Sequence, residues 1–280
     1  MPELDDFDNS DGVKVADFDV EETLGKGKHS EVFRARHKST GQTVALKRIH
    51  IFDIMDSKQR ADCLNEAKLL QSLNHPNIVS VLQAWVEEND VLMALECCEQ
   101  GDLASVLEAH KTNGTAPTER EIWMWFAQVA NAVACMHRHR VMHRDIKPGN
   151  IFITGSGSVK IGDLGLSRYL SSQTVQVQSM VGTPCYMSPE VIRGLPYEFS
   201  SDVWGLGCLL YEMAALRNPF VGPKLNYYTL GKKIASCQYD PLPESAPESV
   251  REMVGLLLRA DPAERPSVEQ ILERIESLTK

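Results

Sequence analysis

The densest chemistry in the chain lies in His143-Arg144-Asp145-Ile146-Lys147-Pro148-Gly149-Asn150, with Asp163-Leu164-Gly165 a short way downstream. A carboxylate at Asp145 can hold and orient a hydroxyl. Asn150 and Asp163 offer hard oxygen ligands of the kind Mg²⁺ prefers. Phosphoryl transfer asks a protein for little beyond positioning and charge neutralisation, and this block holds parts for both. Upstream, Leu24-Gly25-Lys26-Gly27-Lys28-His29-Ser30-Glu31-Val32 predicts a glycine-rich loop joining two strands. Gly25 and Gly27 carry no side chain to keep backbone amides away from phosphate oxygens. Thr43-Val44-Ala45-Leu46-Lys47 predicts a strand with a lysine at its end. A Gly-x-Gly pair alone is an ordinary turn, and most lysines are solvated. Their order along one chain is what gives them weight.

Such groups need elements to hold them. The segment from Asp56 to Asn74 places Leu64, Ala67, Leu70 and Leu73 at helical spacing. Glu66 and Leu70 share a face one turn apart, so Glu66 can point at Lys47 while Leu70 packs behind it. Pairing of Glu66 with Lys68 or Arg60 on a wet surface is the alternative. From Phe18 to Glu96, short strands surround this one helix, with Val91-Leu92-Met93-Ala94-Leu95 as a buried strand. After Gly101 the chain turns helical. Thr118 with Glu121 forms a capping-box pattern opening a helix whose apolar positions are Ile122, Phe126, Val129, Val133 and Met136. Trp123 and Trp125 read as packing residues, and His137 and His139 as surface or capping residues. Residues 151–153 and 159–161 predict a hairpin around a turn at 154–158. The apolar run 203–216 predicts a buried central helix.

Composition sets outer limits. The chain has 280 residues and 43% apolar content, enough for a large core divided between two lobes. Its 29 basic and 38 acidic residues give a net charge of −9, which argues against nucleic acid as the main partner. No run of 18 apolar residues exists and no signal segment opens the chain, so no membrane insertion is expected. The seven cysteines lack metal-like spacing, and Cys97 and Cys98 are adjacent; a reducing compartment is the simple reading.

Taken together, these strings resemble a eukaryotic protein kinase domain from about residue 18 to 278, and within that group the NIMA-related kinases, in particular short members that are little more than a kinase domain. The closer resemblance rests on Ile51-Phe52-Asp53-Ile54-Met55-Asp56, Arg60-Ala61-Asp62-Cys63, Asp163-Leu164-Gly165-Leu166, Gly182-Thr183-Pro184-Cys185-Tyr186-Met187-Ser188-Pro189-Glu190 and Gly207-Cys208-Leu209-Leu210-Tyr211-Glu212-Met213. Two departures stand out: Leu164 replaces the usual Phe, and Ser30 replaces the third glycine of the loop. Several members of the family carry that Leu, so it reads as a pointer to the group rather than a lesion.

The resemblance implies an α+β, bilobal fold. A small, mostly antiparallel N-lobe with one key helix would span 18–96. A hinge and a larger, mostly helical C-lobe would span 97–278. Residues 1–17, acidic and poor in apolar side chains, read from composition as a disordered extension. The resemblance also implies ATP and Mg²⁺. Lys47 would hold the α- and β-phosphates beneath the loop from Leu24 to Val32, and Glu66 would hold Lys47. Asn150 and Asp163 would ligate the metal, Asp145 would orient and deprotonate the acceptor, and Lys147 would steady the γ-phosphate. Lys147, with Thr183 bracing this pair, points to serine or threonine acceptors. Adenine would lie between Val32 and Ala45 above and Phe152 below. Backbone groups of Glu96 and Cys98 would meet its edge, with Leu95 as gatekeeper. Glu190 with Arg265 would anchor the end of the activation segment, and Asp202 would brace the catalytic-loop backbone. A phosphate between Gly165 and Ser188 would pair with Arg144. Among Ser167, Ser171, Ser172, Thr174 and Ser179, the last matches the family's activating site. Expected partners are protein substrates with Ser or Thr acceptors and a larger NIMA-related kinase, with the chain itself a monomer. The expected setting is the cytoplasm, with nucleus, centrosome, spindle or ciliary base, in cell division or microtubule organisation. A scaffold without chemistry would usually lack Lys47, Asp145 or Asp163, and all are present.

Overall fold

The computed structural model describes residues 12–27, 30–50, 67, 69–88, 90–163, 183–222 and 225–278. The described residues divide into two units, one up to Cys98 and the other from Glu99 onwards.

Five strands build the first unit: β1 (Phe18–Lys26), β2 (Ser30–His37), β3 (Thr43–His50), β4 (Val81–Glu87) and β5 (Asp90–Glu96). All pairings are antiparallel, in the order β1-β2-β3-β5-β4. Alternation along these strands gathers Phe18, Ala35, Val44, Leu46, Trp85, Leu92 and Ala94 into one core. β5 is an interior strand between β3 and β4 and buries Val91, Leu92, Met93 and Ala94 in succession, as expected of a strand covered on both faces. Helical residues 67 and 69–72 bury Ala67 and Leu70, and the helix ends at Ser72. Glu66 lies outside the described residues.

The expected disordered stretch 1–17 requires correction at its C-terminal end; residues 1–11 lie outside the described residues. Val15–Asp17 form a 3₁₀ turn. The Val15 N–H donates to Glu87 Oε2 at 2.7 Å, and the Trp85 indole donates to the same oxygen at 3.0 Å. Lys38 Nζ donates to the Ala16 carbonyl at 2.6 Å. Val13 and Val15 pack against the sheet core, where Phe18 stacks on Trp85 with ring centroids 5.7 Å apart. The acidic tally of the whole stretch hid these two valines. A carboxylate on the opposite edge strand supplied their anchor.

The second unit contains α1 (Leu103–Thr112), α2 (Glu119–Arg138), the hairpin β6 (Ile151–Ile153) and β7 (Val159–Ile161), then α3 (Pro189–Ile192), α4 (Phe199–Ala215), α5 (Tyr227–Ala235), α6 (Glu248–Leu257) and α7 (Val268–Leu278). The capping box at α2 forms as expected: Glu121 N–H donates to Thr118 Oγ1, and the Thr118 N–H donates to the Glu121 carboxylate at 2.7 Å. Ile122, Phe126, Val129, Val133 and Met136 are buried along it, as are Trp123 and Trp125. α4 starts four positions before Val203, because Glu198 and Ser201 cap a turn whose Ser201 and Asp202 are themselves buried. It stops where Leu216 turns left-handed at φ 54°. A Cβ added at Gly207 would stand 2.8 Å from Leu258 Cδ2 and 2.9 Å from Leu257 Cβ, so α4 and α6 meet backbone against side chain. No described helix is long and apolar enough to cross a membrane.

Candidate active site

In the second unit, the loop after α2 folds around Asp145. Lys147 Nζ donates to Asp145 Oδ2 at 2.7 Å, and Asn150 Nδ2 donates to the same oxygen at 2.9 Å and to the Asp145 carbonyl at 2.7 Å. Asp145 Oδ1 is buried and has no hydrogen-bond partner among the described residues. An unmade bond to such an atom costs about 1–3 kcal/mol, more when the group is charged. The short 3₁₀ turn Pro148–Asn150 sets Asn150 so that its amide nitrogen faces Asp145.

His143, fully buried, ties this loop to the next. Its Nε2 meets the Gly162 carbonyl at 2.9 Å, and the Asp145 N–H donates to its Nδ1 at 3.3 Å. Those contacts require a proton on Nε2 and none on Nδ1. Burial first, against the pull of Asp202 and Asp145, lowers its pKa, which agrees with a neutral ring. Gly162 N–H in turn donates to the Asn150 carbonyl at 2.9 Å. Asp163 follows directly, exposed and left-handed at φ 57°. Asn150 and Asp163 thus occupy adjoining turns, and an amide oxygen with a carboxylate is a donor set that suits Mg²⁺.

Beneath the loop sits Asp202, wholly buried at the start of α4. Its Oδ2 accepts from the His143 N–H at 3.0 Å and contacts His137 Nε2 at 2.8 Å. Its Oδ1 accepts from the Arg144 N–H at 2.9 Å and the Tyr197 hydroxyl at 2.7 Å. Burial alone would raise the Asp202 pKa; bonds from His137 and Tyr197 outweigh it and hold the carboxyl below its ordinary value. Arg144 sits left-handed at φ 71°, a conformation that costs a non-glycine residue about 1–2 kcal/mol. The carboxylate beneath it offsets that strain.

The first unit supplies the other expected groups. Lys47 is 8% exposed on the central strand β3, paired in register with Val32 on β2 and Met93 on β5. Ala45 pairs with Leu95. Gly27 N–H donates to the Ser30 carbonyl at 2.7 Å, drawing the two ends of the loop together. A Cβ at Gly27 would lie 3.1 Å from Ser30 Oγ, whereas one at Gly25 would meet no protein atom within 4 Å. Lys26 pairs with Glu31 at 2.7 Å across the hairpin, and Leu24 is 51% exposed. Glu96 N–H donates to the Ser80 carbonyl at 2.9 Å, and Cys98 ends this unit half-buried. Phe152, in the second unit, bridges Asp102. Lys28, His29, Leu164 and Ser179 lie outside the described residues, as does the Thr183 side chain.

A family model described as "Protein kinase domain" matches residues 18–275. The chain belongs to the protein kinase family. Its two units are the smaller sheet lobe and larger helical lobe of the α+β kinase fold. The kinase domain is 35% identical over 252 residues to the mouse serine/threonine-protein kinase Nek4, covering 90% of this chain and 31% of that protein. It is 34% identical over 260 residues to a probable serine/threonine-protein kinase nek2 of Dictyostelium discoideum, covering 91% and 61%. Mouse serine/threonine-protein kinase Nek2 is 34% identical over 267 residues, covering 93% and 60%. The chain therefore spans between about a third and three-fifths of the length of these NIMA-related relatives.

Further along the kinase domain, Arg265 grips Glu190 through two guanidinium bonds of 2.8 Å each and stacks 5.1 Å over Trp204. Burial would raise the Glu190 pKa, but bonds from Arg265 and Ser201 prevail and hold it at about 2. Sequence reasoning placed Asp202, Glu190 and Arg265 correctly and overlooked their neighbours. His137, expected at the surface or as a cap, is instead a largely covered partner of Asp202, with its side chain 11% exposed. The signal was present: His137 follows Val133 by one turn, at the edge of the buried stripe of α2. Tyr197 had no such signal, since it lies in an irregular segment without periodicity.

Proposed function

We propose that this chain is a serine/threonine protein kinase that transfers the γ-phosphoryl group of ATP to a hydroxyl on a protein substrate. The Asp145 carboxylate carries the reading. Lys147 and Asn150 fix its Oδ2, and its buried Oδ1 is left for one further hydrogen bond, which an acceptor hydroxyl would supply. As the new oxygen–phosphorus bond forms and the bond from the γ-phosphorus to the bridging oxygen breaks, Asp145 takes the hydroxyl proton and ADP leaves. Asn150 and Asp163 would hold Mg²⁺, which supplies neutralisation of phosphate charge. Lys47 serves the nucleotide phosphates, with Glu66 as its partner. Gly25 leaves backbone approachable where the protein itself has no use for a missing side chain. Lys147, already against Asp145, stands where a cation steadies the migrating group.

Regulation by phosphorylation of Ser179, through Arg144, belongs to the same proposal. So do a role in cell division or microtubule organisation, a larger NIMA-related kinase as partner, and a cytoplasmic, nuclear, centrosomal, spindle or ciliary-base location. Support for these comes from family resemblance. The central test is Asp145→Asn, which removes the proton acceptor but keeps the shape. Radiolabel transfer from ATP to a generic protein substrate is expected to fall at least about a hundredfold, with nucleotide affinity nearly unchanged. Retained turnover would sink the assignment.

A further inference from the structure

We propose that Tyr197 is a positioning residue of the catalytic loop, holding the left-handed turn at Arg144 from beneath so that Asp145 keeps one orientation. The inference rests on the kinase reading above and adds a residue to it. Two independent contacts place Tyr197 in this role. Its hydroxyl donates to Asp202 Oδ1 at 2.7 Å, the same oxygen that accepts the Arg144 N–H at 2.9 Å. Its ring lies 6.0 Å from the Arg144 guanidinium carbon, within reach of a cation–π contact. Tyr197 therefore touches both ends of Arg144, the strained backbone through Asp202 and the charged head directly.

The arrangement is two-sided. His137 steadies Asp202 through Oδ2, the oxygen serving the His143 N–H, whereas Tyr197 steadies it through Oδ1, the oxygen serving Arg144. Only the second bears on the residue adjacent to Asp145. Without the phenol hydroxyl, the carboxylate keeps its bond to the Arg144 N–H but loses the side-chain contact that steadies Oδ1. The turn at φ 71° is then free to relax, and Asp145 to wander from the reacting hydroxyl. A displacement of about an ångström at such a group is enough to slow a reaction severely. Nothing in this chain of contacts involves Lys47, so nucleotide affinity has no reason to change.

Tyr197→Phe keeps the ring and deletes the hydroxyl; Tyr197→Leu deletes both contacts. Expected for Tyr197→Phe is a kcat about tenfold lower, the rate equivalent of one hydrogen bond to a charged group. KM for ATP should stay within about twofold, and Tyr197→Leu should lose more kcat still, since the ring contact goes too. Amide hydrogen exchange at Arg144 should accelerate in both variants, a readout that does not depend on activity. Unchanged kcat in Tyr197→Phe, or unchanged exchange at Arg144, would overturn the proposal. So would equal loss of kcat and nucleotide affinity in step with a collapsed melting temperature, the mark of a general folding defect. Wild-type protein inert towards substrates would remove the kinase reading instead, and exchange at Arg144 would still decide the role of Tyr197.

Discussion

Arg265 places a cation where three acceptors and an aromatic face meet: the Glu190 carboxylate, the Ser200 and Arg259 carbonyls, and Trp204. Removing one partner of a buried ion pair costs more than the pair contributes, about 3–5 kcal/mol, because the other charge stays buried. Arg265→Met is therefore expected to destabilise the kinase domain by about that amount at neutral pH, measured by urea denaturation. The pH dependence should invert. In the wild type the Glu190 pKa is depressed to about 2, so its contribution is fully present above the ordinary carboxylate value and is lost as pH falls towards 2. In the variant burial is opposed only by weaker neutral donors such as Ser201, the folded pKa rises, and mild acid should relieve part of the defect. Glu190, Arg265 and Asp202 were legible because each stands within or beside a recognisable string. His137 and Tyr197 were not, since their role exists only once a buried carboxylate has been placed between them.

Among the elements, α2 and the β6–β7 hairpin were the most legible, because capping, periodicity and turn chemistry all agreed locally. The start of α4 was less so: polar Ser201 and Asp202 argue against burial until their partners Glu190 and the catalytic loop are known. Helix packing offers a sharper test than boundaries do. Alanine suits a helix better than glycine by about 1 kcal/mol. At Gly255 in α6, where a Cβ meets nothing within 4 Å, Gly→Ala should raise the thermal midpoint. At Gly207 the same change presses on Leu257 Cβ at 2.9 Å, and overpacking of this kind costs about 1–3 kcal/mol. Gly207→Ala should lower the midpoint. Equal shifts at the two sites would mean that propensity, not packing, governs α4.

At the scale of the molecule, resemblance gave the fold class and the chemistry, while composition only bounded them. Its weakest inference was the lower limit of the folded chain. Residues 13–17 join the two edge strands of the first unit, β1 by continuity and β4 through Glu87. A chain beginning at Phe18 keeps nearly every recognisable kinase string yet exposes part of the Phe18–Trp85 core. Loss of that cover and of the Val15 bond is expected to cost about 2 kcal/mol, read as a lower urea midpoint.

The Glu190–Arg265 pair also bears on how the chain is made. Its partners lie 75 residues apart. At a synthesis rate of about 5–20 residues per second, Arg265 leaves the ribosome roughly 4–15 seconds after Glu190. Throughout that interval the carboxylate lacks its Arg265 partner, and water is its best environment. The segment around Glu190 therefore consolidates only once the residues around Arg265 arrive, well after the five-stranded sheet has been released.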